Sequence, residues 1–122
     1  MTKTFASLAS LPTLPLWTGI LARVVGGRHL TFAVVELEPF AQAKLHQHAN
    51  EQIGIVLQGA LHFAIGSEAR DLGPGDTYLI PPDVPHEATA GADGAVVIDV
   101  FSPPRADWHR VEAQAPSAPR WP

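Results

Sequence analysis

The chain contains no cysteine among its 122 residues, so neither a disulfide framework nor thiolate chemistry contributes to its fold or its function. Its eight lysine and arginine residues are scattered and are outnumbered by twelve acidic residues, which gives a net charge of −4 at neutral pH. A nucleic-acid-binding protein needs a basic face to neutralise phosphates, and this composition offers none. We therefore expect no nucleic-acid partner.

Long apolar segments are missing as well. No apolar run approaches the ~20 residues of a membrane-spanning helix, and serine and proline interrupt the apolar residues near the N-terminus, so no signal-peptide core is recognisable. These features predict a soluble, cytoplasmic protein with no membrane partner. The 3.6-residue apolar period of an amphipathic helix is also absent, which predicts little helix.

Proline and glycine, by contrast, are abundant, with twelve and ten residues. They separate short apolar runs that recur at intervals of roughly 8–12 residues, a rhythm typical of a β-sandwich or barrel. The predicted strands are 20–25, 30–37, 43–48, 52–58, 60–65, 77–80, 86–90 and 95–101. We expect residues 1–18 to form an N-terminal arm or an edge strand, residues 19–108 a single barrel, and residues 109–122 a flexible C-terminal tail.

The run His46-Gln47-His48 falls on one of these predicted strands. Side chains two residues apart point to the same face of a strand, so two imidazoles about 7 Å apart along the backbone are able to converge on one metal ion. The same pattern also occurs on strands that bind no metal. The pattern alone therefore leaves both interpretations open.

The residues around this pair resemble the two signature motifs of the cupin superfamily. In the first motif, His-x-His is followed by an acidic residue, then six residues and a glycine, which here is Gly59. In the second motif, a glycine and a proline precede a histidine at fixed intervals, and Gly75, Pro81 and His86 fit them. The resemblance implies an all-β fold, a double-stranded β-helix or jelly-roll barrel, with a metal site at its mouth.

Several positions depart from the motifs. Phe40 and Asp83 stand where the motifs have glycine, and Ala90 replaces an asparagine. Gln52 occupies the position of the usual glutamate, while Glu51 lies one residue away. A shift of one residue turns a side chain to the opposite face of a strand, so the spacing favours Gln52. A cupin without a metal is the alternative.

Residues 45–108 more specifically resemble the KdgF family of pectin-degradation cupins. The shared features are H-x-H-x-x-E-Q, G-P-G-D, I-P-P-x-x-x-H and a closing D-V-F-x-P-x-R. The resemblance implies one divalent ion on four side chains, those of His46, His48, Gln52 and His86. It implies three catalytic positions, at Asp99, Phe101 and Arg105. The activity it implies is ring opening of the 4,5-unsaturated uronates released from pectin or alginate.

Elementary chemistry is compatible with these roles. Three imidazoles and an amide leave the charge of a divalent ion uncompensated, which favours an acidic sugar as partner, and nickel, zinc, iron or manganese would each accept such a site. Asp99 lies in the apolar run VVIDVF, where burial would raise its pKa into a range useful for proton transfer. A structural hydrogen-bonding role is the alternative. Arg105 would bind a carboxylate or form a surface ion pair.

Two other functions remain open for a small cupin. One is a dioxygenase that holds Fe(II), although oxygenases usually gain from a carboxylate ligand. The other is a non-enzymatic module that binds or senses a sugar. We also expect a homodimer with residues 5–18 at the interface, because the chain is small and its apolar strands and terminal tryptophans indicate a face that needs cover.

Overall fold

The computed structural model describes residues 3–122, so the first two residues of the predicted arm lie outside the described part. Residues 3–122 form eight strands, which are β1 (Thr13–Trp17), β2 (Ile20–Gly26), β3 (Thr31–Leu37), β4 (Gln42–His46), β5 (Glu51–Ile65), β6 (Glu68–Leu72), β7 (Thr77–Ile80) and β8 (His86–Ser102). Their helical elements are two short 3-10 turns, at Leu8–Ser10 and Ala106–Arg110. The expectation of little helix is thus confirmed. Within the described range, no helix has the length and apolar character needed to cross a bilayer.

The strands form two antiparallel layers that share β5 and β8. The first half of β5 pairs with β7 and with the second half of β8, and this layer continues through β3, β2 and β1. The second half of β5 pairs with β6 and with the first half of β8, whose other edge is β4. The inward-facing apolar side chains form one core cluster. This arrangement is the all-β jelly roll that the sequence predicts.

Gly59 and Gly94 mark the points at which the two long strands pass from one layer to the other. The sequence predicts breaks between strands at both places, whereas the structure continues each strand through its glycine with an irregular register. Both glycines have positive φ, 77° and 73°. A Cβ on Gly59 would lie 2.1 Å from the carbonyl oxygen of Gly94, so the close approach of the two backbones requires glycine there.

The segment predicted as a flexible tail, residues 109–122, is hydrogen-bonded to the barrel instead. Arg23 on β2 is only 1% exposed and donates through Nη1 to the carbonyl oxygen of Ser117 at 2.7 Å. Arg23 also pairs with Glu36 at 3.3 Å, and Glu36 accepts a hydrogen bond from the backbone of Arg120. Composition could not predict this docking. The segment is held by Arg23 and Glu36, two charged side chains on strands far from it in the sequence, and the segment covers both. Buried charged groups need such hydrogen-bond partners.

The N-terminal arm is an edge strand over part of its length, which was the alternative to a free arm. Strand β1 pairs with β2, and Thr13 forms a backbone bridge with Gln114 on its other side. Leu14, Leu16 and Trp17 pack against the core of their own chain. The homodimer with residues 5–18 at its interface stays a prediction.

Two loops near the barrel mouth have an unusual backbone. Phe40 and Asp83 adopt positive φ, 61° and 62°, and they are the two residues that replace the glycines of the cupin motifs. The first lies just before β4 and the second just before β8. The left-handed conformation is therefore kept although both residues carry side chains, which costs roughly 1–2 kcal/mol for a bulky residue and less for aspartate.

Candidate metal centre and active-site cavity

A cavity of about 410 Å³ lies between the two layers of the barrel. Its volume is within the range of ligand-binding pockets. All seven side chains singled out from the sequence line this cavity: His46, His48, Gln52, His86, Asp99, Phe101 and Arg105. The fold therefore brings the whole predicted set together from β4, β5, β8 and the segments that follow β4 and β8.

Three histidines converge on one side of the cavity. His46 ends β4 and lies directly opposite His86, which begins β8. His48 lies in the loop after β4, and not on the strand predicted over 43–48. One ring nitrogen of each histidine lies within 4.8 Å of one from each of the others, an arrangement suited to a metal ion.

Backbone carbonyls fix the tautomer of all three rings. Each Nδ1 faces a carbonyl oxygen two residues away in the chain, at 2.5 Å for His46, 3.0 Å for His48 and 2.8 Å for His86. A carbonyl only accepts, so Nδ1 carries the proton and Nε2 keeps its lone pair. The Nε2 atom of His86 is buried and has no hydrogen-bond partner within residues 3–122. A cation among the three Nε2 atoms would satisfy it, so the residues present fit a metal.

Burial also keeps two of these rings neutral. It lowers the pKa of His86 from its ordinary value of 6.5 to about 4. Burial likewise lowers the pKa of His48, and the positive charge of Arg105 adds to the effect. Neutral imidazole is the form that binds a metal, so little proton competition is expected at neutral pH.

Gln52 extends the histidine group. Its Oε1 lies 3.1 Å from Nε2 of His48, and its Nε2 donates to Oδ1 of Asp99 at 3.0 Å. With His48 protonated on Nδ1, two acceptors face each other, and a nearby cation would stabilise the pair. The amide oxygen of Gln52 would thus be available to the same ion as the three imidazoles. Glu51 is exposed on the opposite face of the strand, as the one-residue argument expects.

Asp99 is buried on the inner face of β8. Its Oδ1 accepts hydrogen bonds from Tyr78 Oη at 2.5 Å and from Gln52 Nε2 at 3.0 Å. Its Oδ2 accepts none from the described residues, is not fully enclosed, and belongs to the cavity wall. Burial raises the pKa of Asp99, while the two hydrogen bonds and the charge of Arg105 act in the opposite direction. One oxygen is thus held and the other faces the cavity.

Tyr78 reaches Asp99 because a glycine lies between them. Gly54 on β5 is opposite Tyr78 of β7 on one side and opposite Asp99 of β8 on the other. A Cβ on Gly54 would lie 2.2 Å from Cζ of Tyr78. The tyrosine ring therefore crosses the glycine and packs on Phe63 at 4.7 Å. The sequence predicts a strand over 77–80 that includes Tyr78. Tyr78 and the apolar Ile80 are two residues apart and so share a face of that strand, and this was the only sequence signal that Tyr78 faces inward.

Arg105 follows β8 and is 9% exposed. Its guanidinium carbon lies 4.7 Å from the ring centre of Phe101 and 4.5 Å from that of Trp108. Asp107 accepts from Nε at 3.0 Å and from Nη2 at 2.8 Å, and these hydrogen bonds hold the pKa of Asp107 below its usual range. Nη1 donates to none of the described residues. Arg105 thus forms an ion pair, as one alternative expected, yet it is buried and lines the cavity.

Two tryptophans also line the cavity, although the sequence suggested only packing or an interface for them. Trp17 of β1 lies 5.4 Å from the ring of His46, and Trp108 of the second 3-10 turn lies 5.0 Å from Phe101. Both positions are near the ends of the chain. No local signal could place them, because only the pairing of β1 and the turn after β8 brings them to the cavity.

Comparisons with known proteins agree with this architecture. The family profile described as "Cupin domain" matches residues 33–101. The structure of KdgF from Halomonas sp. superposes with a TM-score of 0.79 at 33% identity, over 87% of this chain and 98% of that chain. An RmlC-like cupin from Shewanella frigidimarina superposes with a TM-score of 0.82 at 24% identity, over 88% and 96%, which supports the fold alone.

Two curated proteins share part of the sequence. The pectin degradation protein KdgF of Dickeya dadantii is 38% identical over 64 residues, which are 52% of this chain and 58% of that protein. The H2HPP isomerase of Bacillus subtilis is 36% identical over 64 residues, 51% of this chain and 27% of that protein. The chain thus spans less than two thirds of either relative. With the cupin profile matching more than half of its length, the chain belongs to the cupin family, and within that family it resembles KdgF.

Proposed function

We propose that this cupin is a metal-dependent enzyme that opens the ring of a 4,5-unsaturated uronate released from pectin or alginate. The observation that carries the proposal is the free Oδ2 of Asp99 in the same cavity as the three convergent histidines. The likeness to KdgF supports the substrate class. A second relative is named an isomerase, and ring opening is also an isomerisation, so both favour this chemistry over an oxygenase.

The metal would be held by three imidazoles and one amide oxygen, from His46, His48, His86 and Gln52. When bound, a divalent ion supplies a Lewis acid that polarises sugar oxygens. The donor set is uncharged and suits nickel, zinc, iron or manganese. An anionic uronate is the complementary ligand, because its carboxylate offsets the uncompensated charge.

Two cavity residues would orient the sugar. Arg105 offers its Nη1 to the uronate carboxylate while Asp107 holds the other edge of the guanidinium. Phe101, whose ring lies 5.8 Å from that of His48, offers an apolar surface to the sugar ring. The sugar is thereby fixed between a cationic and an aromatic side chain, which reduces the orientational freedom lost in the reaction.

Asp99 would move the proton. As the bond between C1 and the ring oxygen breaks, the C1 hydroxyl loses its proton and becomes the aldehyde, and the ring oxygen remains as an enolate on C5. A proton delivered to C4 then converts the enolate to the ketone. The proton that Oδ2 takes from the hydroxyl is returned at C4, so the reaction is a balanced isomerisation that needs no co-reactant.

Uronate turnover is the direct test of this proposal. Purified protein loaded with each candidate metal is mixed with a 4,5-unsaturated galacturonate, and the absorbance of the enol ether is followed. We expect the absorbance to decay faster than in a chelator-treated control. Oxygen consumption in the assay would support the dioxygenase alternative, and tight sugar binding without turnover would support the binding module. Either result would contradict the ring-opening proposal.

A further inference from the structure

We infer that Gln52 and Asp99 form a matched amide–carboxylate pair, in which Asp99 determines which end of the Gln52 amide faces the three histidines. In this role Asp99 is a positioning residue, additional to the proton transfer proposed for its other oxygen. The inference rests on the proposed metal site and extends it. It predicts that the residues suitable at position 52 depend on the residue at position 99.

The two ends of a glutamine amide have nearly the same shape but opposite hydrogen-bonding character. In the structure, Gln52 directs its NH2 group to Oδ1 of Asp99 at 3.0 Å and its oxygen to Nε2 of His48 at 3.1 Å. Turning the amide over would place its oxygen against the carboxylate and its NH2 group among the imidazoles. An NH2 group cannot bind a cation, so the flipped amide would remove the fourth ligand.

Asp99 is able to impose this choice because it is itself fixed. Its Oδ1 also accepts the hydrogen bond from Tyr78, whose ring is held across Gly54. Gln52 and Asp99 are 6% and 7% exposed, so solvent does little to weaken the contact between them. In such a poorly solvated setting a hydrogen bond from an amide to a carboxylate is strong, and a contact between two acceptors is unfavourable.

The same geometry restricts the charge of the pair. Gln52→Glu would bring a carboxylate oxygen to about the 3.0 Å that now separates Nε2 from Oδ1 of Asp99, with no donor between them. Exchanging both residues, Gln52→Glu with Asp99→Asn, would keep one amide and one carboxylate and reverse the direction of the hydrogen bond. The glutamine found in place of the glutamate of the cupin motif is thereby explained.

A double-mutant cycle read by metal binding tests the inference. The dissociation constant of Zn²⁺ is measured by competition with a chelator for the unmodified protein, Asp99→Asn, Gln52→Glu and the double variant. With Gln52 present, Asp99→Asn should weaken Zn²⁺ binding about 10–100-fold, the range for residues that orient a ligand. In the Gln52→Glu background, the same substitution should cause no loss.

A second readout needs no metal. In chelator-treated protein, Gln52→Glu should lower the thermal midpoint, and the double variant should recover it, because the carboxylate repulsion is gone. Asp71→Asn is the matched control: Asp71 is an exposed acid paired with His62 outside the cavity, so its loss should leave Zn²⁺ binding unchanged. An equal loss from Asp99→Asn in both backgrounds, or no loss in either, would overturn the inference.

These results are separable from the proposed function. The double variant should bind Zn²⁺ but have no carboxylate at position 99, and it should therefore lack uronate turnover. Coupled Zn²⁺ binding in a protein that does not turn over uronates would refute the function and leave the inference intact. Uronate turnover by a protein in which the two substitutions show no coupling in Zn²⁺ binding would refute the inference and leave the proposed function intact.

Discussion

Gln52 donates its amide Nε2 to Oδ1 of Asp99 across 3.0 Å, and this contact joins two chemically different halves of one cavity. One half contains three imidazole lone pairs, and the other contains a carboxylate oxygen that is open to the cavity. The two side chains are on neighbouring strands, with Gly54 opposite Asp99 in the register of β5 and β8. A change that moves either side chain should therefore affect metal binding and chemistry together.

The first prediction concerns Gly54. In Gly54→Ala the new methyl group would overlap the ring of Tyr78, with 2.2 Å to Cζ, and the ring would move away from Asp99. We expect a loss of about 1–3 kcal/mol in the free energy of unfolding, as is usual for overpacking, together with weaker Zn²⁺ binding. Denaturant unfolding and chelator competition measure the two effects.

Gly73→Ala is the control for that substitution. A Cβ at Gly73 would meet none of the described atoms within 4 Å, so stability and Zn²⁺ binding should stay unchanged. If Gly54→Ala were as stable as the control and bound Zn²⁺ equally well, the hydrogen bond from Tyr78 would have no part in organising the site.

The second prediction concerns Asp107. Asp107→Asn removes the carboxylate that holds two nitrogens of Arg105, so the guanidinium gains freedom at the cavity wall. We expect KM for an unsaturated uronate to rise several-fold, with a smaller change in kcat, because the role proposed for Arg105 is to orient the substrate and not to transfer the proton. Asp71→Asn removes an acid of the same type from a surface ion pair and should change neither constant.

The ion pair also predicts a dependence on pH. Arg105 holds the pKa of Asp107 below its ordinary value of 3.8 in the folded chain, so the pair stabilises the fold above that value. This contribution of the ion pair to stability is lost as the pH falls below 3.8 and then through the lowered pKa of Asp107 in the folded chain. The difference in thermal midpoint between the unmodified protein and Asp107→Asn should be constant from neutral pH to about pH 5 and shrink in stronger acid. A difference that grew in acid would contradict this assignment.

The third prediction concerns the strained backbone at Phe40. Its φ of 61° suits glycine, and its side chain is 67% exposed, so Phe40→Gly loses little packing. We expect the free energy of unfolding to rise by up to about 1 kcal/mol, because relief of the left-handed strain exceeds the added entropy of the unfolded chain. Phe5→Gly is the control, since Phe5 is exposed without positive φ and should give no gain. Equal effects at both positions would show that the strain is negligible.

The fourth prediction concerns the C-terminal segment. Removing residues 115–122 would take from Arg23 its acceptors on Ser117 and Ala118. We expect a loss of about 2–3 kcal/mol in the free energy of unfolding, the range for hydrogen bonds to a charged group. Removing residues 1–6 is the comparison, because residues 3–6 are exposed. A truncated chain of unchanged stability would restore the interpretation of this segment as a loose tail.

The resemblance to the cupin motifs predicts which residues line the cavity. His46, His48, Gln52 and His86 match the motif positions, and the structure brings all four to one cavity, although His48 lies in the loop after β4 and not on the predicted strand. The choice of Gln52 over Glu51 follows from the two-residue period of a strand, and the structure has Gln52 inside and Glu51 outside. Local periodicity was sufficient for this choice because it depends on one strand alone.

Contacts between distant segments could not be predicted in this way. In the sequence, Gly59 indicates only the end of a strand. Its actual role, which is to let the backbone of β5 pass close to the backbone of β8 at Gly94, is visible only in the folded chain. Trp17 reaches the ring of His46 only after β1 has joined the sheet. The docking of residues 109–122 depends on the buried Arg23 of another strand. Each of these features arises from tertiary packing that no local pattern encodes.

The most direct test of the central claim is uronate turnover by Asp99→Asn at saturating metal, with metal content measured per chain. The substitution keeps the shape of the side chain and removes its ability to carry a proton. We predict that the unmodified, metal-loaded protein consumes a 4,5-unsaturated uronate and that the variant is slower by at least ~10²-fold, the usual contribution of a general acid–base group. Full turnover by a folded, metal-loaded variant, or none by the unmodified protein, would contradict the account.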